Sequence, residues 1–217
     1  MKSWLNSLHD LPLRAAPLSF LAPLLLRLYL APIFWMAGTR KFAAFDDTVE
    51  WFGNPDWGLG LPFPVVMAFL AAATELVGAV LLVLGLAVRW ISVPLMVTML
   101  VALFAVHWDY GWLAIAEGQG VFATERTQAA VSQLAQAKEL LREHGDYAAL
   151  TEHGSLVILN NGIEFAATYF VMLLSLFFTG AGRWLSVDGW LARRWAAGRM
   201  TVAARPNRSG TRTDSGV

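Results

Sequence analysis

The sequence predicts an all-α membrane protein: a four-transmembrane-helix bundle with an external helical insertion between spans 3 and 4. Three observations carry that class. The chain of 217 residues is 57% hydrophobic and only 15% charged, with a mean hydropathy of +0.52, a composition too apolar for an ordinary soluble domain. Four stretches approach the ~20 apolar residues needed to cross a ~30 Å hydrocarbon core. Two of them carry a lone charge near the middle, Arg27 in the first and Glu75 in the second. A charge at mid-bilayer costs roughly 2.5–3.5 kcal/mol on insertion scales, so such residues face the bundle, find a partner and often serve function.

The first span is placed at about 18–38, the second at 62–86, the third at 90–107 and the fourth at 162–180. Pro23, Pro32 and Pro94 fall inside spans, where neighbouring helices can satisfy the backbone groups they release. The first apolar run is too long for a cleaved leader and no small-residue cleavage site follows it, so it is expected to stay as a span. Residues 1–202 are expected to form one transmembrane domain, with the insertion at about 108–159 inside it. Within the insertion, Thr124 is a plausible N-cap and Gly145 a plausible stop for a helix, with Ala130, Leu134, Ala137 and Leu141 as a narrow apolar stripe. The stripe is too small for an independent core, so this helix should lie on the bundle mouth or against a partner. After the fourth span, Trp190, Leu191 and Trp195 can face lipid on a short interfacial helix, with Arg193 and Arg194 toward headgroups. Residues 203–217 are basic, poor in apolar side chains and expected to be a disordered cytoplasmic tail.

Charge assigns the sides. Net charge is zero, yet the N-terminal segment, the tight second connection and everything after span 4 hold ten of the sixteen basic residues, Arg89, Arg183, Arg193 and Arg194 among them. The first and third connections hold eleven of the sixteen acidic ones, including Asp46, Asp47, Glu50, Asp56, Asp109 and Asp146. Because Lys and Arg set orientation, both termini are expected in the cytoplasm, with the chain a multi-pass protein of a bacterial inner membrane. Arg40 and Lys41 sit on the wrong side for this rule and are either tethered by the acidic loop beside them or part of a site. The ten tryptophans gather at the two ends, Trp35, Trp51, Trp57, Trp108 and Trp112 outside and Trp4, Trp90, Trp184, Trp190 and Trp195 inside, as an aromatic belt does.

The chain has no cysteine, which excludes thiol–disulfide exchange, thiolate–metal sites, Cys-ligated clusters and c-type haem attachment on its own residues. No soluble-enzyme motif is present, and nothing suggests a nucleic-acid partner. The polar residues leave two places for chemistry. One is a buried ion pair between Arg27 and Glu75, read either as a structural device that fixes the packing of spans 1 and 2 or as a charge relay. Ala71, Gly78 and Ala79 on the face of Glu75 would let a neighbouring backbone approach closely. The other is the outer mouth, where His107 closes span 3, Asn160, Asn161 and Glu164 open span 4, and Lys41 closes span 1. His107 and Glu164 are expected to face one cavity with Lys41 at its rim. Histidine titrates near neutral pH, and a quinone headgroup needs hydrogen bonds to two carbonyls and proton donors on reduction. His107 and Glu164 are therefore the candidate catalytic residues, and Lys41, His107, Glu164 and Asn161 the candidate quinone-binding set. One histidine with two carboxylates at no diagnostic spacing does not make a metal site. The alternative is ordinary interfacial polarity. His9, His144 and His153 lie in exposed segments and receive no role.

In order and spacing these residues resemble the DoxX family of small four-span bacterial membrane proteins. The resemblance covers roughly 25–41, 62–107 and 164–188. It rests on Arg27, Gly38 and Lys41 in the first span, Glu75-x-x-Gly78 and Gly85-Leu86-x-x-Arg89 in the second, His107 after the third, and the run GAGRWLSVD from Gly180 to Asp188. The long third connection and the basic tail depart from the family pattern. The resemblance implies a four-helix membrane fold. It also implies, for some members, a role as membrane subunit of a thiosulfate:quinone oxidoreductase. Other members accompany maturation, stress or metal-handling functions, and relatives of similar architecture include cargo-binding receptors. The leading expectation is an inner-membrane subunit in a quinone-linked oxidoreductase system whose electron donor is supplied by a protein partner. The rival is a non-catalytic membrane scaffold or receptor that docks a soluble partner.

Overall fold

The computed structural model describes residues 18–203, with side chains to residue 196. The expected tail from residue 204 onward and the N-terminal segment with Lys2, Trp4 and Arg14 lie outside the described residues. Within them the chain is helical, and the only β pairing is an isolated antiparallel bridge between Ile115 and Leu159.

Three helical runs are long and apolar enough to cross a membrane: α1 (Leu21–Ala43), α3 (Pro64–Leu84), and α4 (Val88–Val101) with its continuation to Tyr110. Between α1 and α3 lies the short amphipathic helix α2 (Phe45–Gly53). Helix α4 leads into a π-helical turn over Ala102–His107 and a 3-10 turn over Trp108–Tyr110. Helix α5 (Glu125–His144) and the one-turn α6 (Tyr147–Leu150) occupy the long third connection. Helix α7 (Glu164–Thr179) is apolar but has 16 residues, and α8 (Val187–Ala203) follows it.

The tight turn between Leu84 and Val88 sets α3 and α4 antiparallel, while longer segments carrying α2 and α5 join the other neighbours. Helix α1 lies along α3, and α4 lies along α7, with α3–α4 and α1–α7 contacts closing the bundle. The core between them is built from Leu30, Phe34, Leu82, Leu95, Leu173 and Leu176, all essentially inaccessible. Gly38 allows the α1–α3 approach: a Cβ there would lie 2.7 Å from Leu76 Cγ and 3.0 Å from the Ala72 carbonyl, tighter than packed side chains tolerate. Gly78 likewise makes room for the Leu95 side chain on α4. Outward-facing Leu25, Val77, Val97, Phe104 and Val171 are more than half exposed. That is the pattern of helices whose outer faces meet lipid rather than water. Trp57 and Trp108 at one end, and Trp90, Trp184 and Trp195 at the other, are also more than half exposed, as a belt requires.

Thr124 caps α5 as expected, accepting from the Thr127 N–H at 3.3 Å while the Thr127 hydroxyl reaches back to the Thr124 N–H at 2.9 Å. Ala130, Leu134 and Leu141 are half-buried on its inner face, whereas Ala137 is exposed. Leu134 and Val131 line an open cavity between α5 and the loop residues 116–119 and 155–157.

Candidate functional site

The expected Arg27–Glu75 pair does not form. The two charges sit at different heights in the bundle, for a simple geometric reason. Helix α1 begins at Leu21, which puts Arg27 in its second turn, and it runs past Gly38 to Ala43. In an antiparallel pair the early residues of α1 face the late residues of α3. Arg27 therefore meets Leu82 and Gly85, while Glu75 meets Lys41 almost four turns further along α1.

Arg27 is wholly buried. Its Nη2 donates to the Leu185 carbonyl at 2.9 Å and its Nη1 to the Leu82 carbonyl at 3.3 Å, while Nε has no hydrogen-bond partner. The surrounding backbone is unusual: Gly85, Ala87 and Leu185 all have left-handed φ, near +63°, +51° and +53°. Asp188 stitches this knot, accepting from the Ala87 and Val88 N–H groups at 2.8 and 3.2 Å, while its own N–H donates to the Gly85 carbonyl at 3.0 Å. One arginine thus joins α1, the α3–α4 turn and the segment before α8.

At the other end of the bundle Lys41 Nζ donates to both carboxylate oxygens of Glu75, at 2.6 and 2.8 Å. The Glu75 side chain is 5% exposed and that of Lys41 27%. This pair, His107 and an otherwise mainly apolar wall line one cavity of about 460 Å³ between α3 and α4. Trp51 and Phe52 of α2 form part of its lining, as do Leu70 and Val97, which are also half-exposed on the outer surface of the bundle. The cavity therefore reaches the face that lipid would cover.

His107 closes the π-helical turn, a rare, wider turn that often occurs at functional sites. Its Nδ1 lies 2.8 Å from the Asn161 carbonyl. A carbonyl only accepts, so Nδ1 carries the hydrogen and the neutral ring keeps Nε2 as an acceptor. Asn161 adopts φ near +61°, a left-handed conformation that asparagine tolerates better than most residues.

Glu164 and Asn161 do not join Lys41 at the cavity, which corrects the expected four-residue cluster. Glu164 begins α7 and its Oε2 accepts from the Ala114 N–H at 3.0 Å, so it latches the incoming loop. Asn161 contributes its carbonyl to His107 while the residue as a whole is exposed. Beside it, buried Asn160 holds the same loop, donating to the Tyr110 and Leu113 carbonyls at 2.8 and 2.6 Å and accepting from Arg126 Nε at 3.2 Å. Among the described residues no group of three or more His, Asp or Glu side chains could hold a metal ion. Sequence reasoning misses Glu75 as a cavity residue, because its depth in α3 matches Arg27 in the sequence and Lys41 in the fold. The signal that could have placed it is the wrong-side lysine, since a cation just past a span is explained by a carboxylate one helix away.

Three helices long and apolar enough to span, an ion pair joining the end of α1 to α3 and a cavity that reaches the outer apolar face mark an integral-membrane helical bundle. Residues 22–108 match the DoxX family model, and the chain carries a DoxX domain over that stretch. The match takes in α1 to α4 and ends beside His107; α7 and the run to Asp188 lie beyond it. A protein of Bacillus subtilis (strain 168) named "Putative oxidoreductase CatD" is 36% identical over 94 residues, covering 43% of this chain and 66% of that protein. No solved structure matches the chain.

Proposed function

We propose that the chain is a membrane component of a quinone-linked oxidoreductase system, with the quinone headgroup seated between Lys41, Glu75 and His107. The cavity itself carries this reading: an apolar chamber open to lipid, with one ion pair and one histidine on its wall. Pockets for lipophilic ligands have this form, with an apolar lining and a few polar groups that fix orientation. The family match and the oxidoreductase name of the relative agree with it.

A quinone supplies a two-electron, two-proton acceptor. Lys41 and His107 would hold its carbonyl oxygens by hydrogen bonds, Lys41 as a charged donor and His107 as a donor when its ring is protonated at Nε2. Glu75 keeps Lys41 charged and in place, and in its acid form is a further proton source. With no cysteine to carry electrons, the donor would belong to a partner protein. The scaffold reading has its own support in α5, whose outer face is polar and exposed and stands clear of the spanning helices.

His107→Ala should weaken binding of a short-chain quinone by roughly three- to tenfold, as expected for one lost hydrogen bond. Glu164→Gln, outside the cavity, should leave binding unchanged while loosening the loop at Ala114. Equal quinone affinity in the parent and in His107→Ala would sink the redox site. A stable partner complex with no quinone binding at all would select the scaffold reading.

The same proposal makes α7 a fourth crossing, because it runs antiparallel along α4 although its 16 residues cover only ~24 Å. Four crossings place both termini on one side, and the arginines at that end make it the cytoplasmic side of an inner membrane. Reporter fusions after Gln133 should then report the outside and fusions after Pro206 the cytoplasm. Reports of opposite sense at both sites would invert the topology and move the cavity to the inner leaflet.

A further inference from the structure

We propose a second site, at the basic end of the bundle, that binds the phosphodiester headgroup of an anionic phospholipid. A cavity of about 620 Å³ lies where the α3–α4 turn meets the segment between α7 and α8. Its wall carries three arginines, Arg89, Arg183 and Arg193, against a single carboxylate, Asp188. Asp188 is already engaged, with both oxygens accepting from the Ala87 and Val88 N–H groups.

None of the three arginines is paired with a carboxylate among the described residues, where the only ion pairs are Lys41–Glu75 and His144–Glu143. Two of them are nevertheless held in place. Arg89 Nη2 donates to the Phe178 carbonyl at 3.1 Å, and Arg193 donates to the Arg183 carbonyl while its guanidinium lies 5.2 Å over the Trp184 ring. Each keeps further N–H groups for a ligand, since a guanidinium has five. Three guanidiniums against one carboxylate leave the cavity wall net positive, and a bound anion relieves their mutual repulsion.

The surroundings select a lipid over a free anion. Trp90 is 82% exposed and Phe178 69% exposed beside the arginines, and Val93 continues the exposed strip one turn further along α4. A headgroup in the cavity would leave its acyl chains along this strip. Basic pockets between spanning helices, at the level of the interface, recognise anionic headgroups in this way.

The test uses the full-length purified protein in neutral detergent, titrated with phosphatidylglycerol, with phosphatidylcholine, or with inorganic phosphate, while the thermal midpoint and lipid-bound species in native mass spectra are followed. Phosphatidylglycerol should raise the midpoint and appear as a bound adduct, with phosphatidylcholine and phosphate ineffective. Arg183→Gln removes charge without removing any described side-chain hydrogen bond, and should weaken phosphatidylglycerol binding roughly fivefold, the effect of about one basic residue near a membrane surface. Arg89→Gln with Arg183→Gln should abolish the preference for the anionic lipid, while Lys138→Gln at the opposite end should leave it intact. Phosphate as effective as phosphatidylglycerol would make this an inorganic anion site and overturn the lipid assignment. Equal stabilisation by both lipids, or an anionic preference that survives the double substitution, would overturn the site itself.

Discussion

Lys41→Ala should be among the most damaging single substitutions, lowering stability by about 3–5 kcal/mol, because it leaves the Glu75 carboxylate buried without its partner. Glu75 is 4% exposed and both its oxygens are bound by Lys41 alone. Reversible unfolding in mixed detergent micelles measures the loss. The double variant Lys41→Met/Glu75→Leu should recover most of that stability, because an apolar pair of similar volume suits this environment at least as well as a desolvated ion pair. It should not recover quinone binding. The two readouts separate packing from chemistry: a double variant that binds quinone like the parent would show that the pair only holds α1 against α3. A Lys41→Ala protein as stable as the parent would mean that Glu75 is not held as the structure places it.

Gly85→Ala should be of similar severity, on the order of 3–5 kcal/mol. Two effects add. Alanine resists φ near +63° by about 1–2 kcal/mol. Its Cβ would also fall within the Arg27 guanidinium and 2.7 Å from Ser186 Cβ. Moving Arg27 aside breaks its bonds to Leu82 and Leu185, and hydrogen bonds to charged groups contribute about 1.5–3 kcal/mol each. A thermodynamic cycle gives the sharper test. If the damage at Gly85 arises through Arg27, then Gly85→Ala should cost much less in an Arg27→Ala background, where the guanidinium is gone. Additive losses would place the strain in the turn alone.

Much of the fold is legible in the sequence because the bilayer constrains it so strongly. Spans must be helical and about 20 residues long, so apolar runs mark α1, α3 and α4 without further information. Thr124 as a cap is legible for an equally local reason, since its hydroxyl meets a backbone group three residues away. Arg27 and Glu75 are visible as out-of-place charges, but their partners are not. Pairing across helices depends on relative height, and a shift of one turn in where α1 starts changes which residue faces which. Both charges lie near the middle of their apolar runs, which makes them look level, yet α1 continues to Ala43 and brings Lys41, almost four turns past Arg27, to Glu75. The mouth failed in a similar way. His107 and Glu164 do come to the same end of the bundle, but Glu164 turns to a backbone N–H of the third connection, and no periodicity in the sequence records where that loop passes.

The bond from Arg27 to Leu185 has a bearing on where this protein can be cut. The recognisable domain closes at residue 108, yet the buried Arg27 guanidinium donates to a carbonyl 158 positions further along the chain, and the turn at Gly85 is capped by Asp188. A fragment trimmed to the family boundary would expose those groups to hydrocarbon with nothing to replace their partners. A unit that keeps these contacts ends no earlier than Asp188, well past the stretch that carries the family signature.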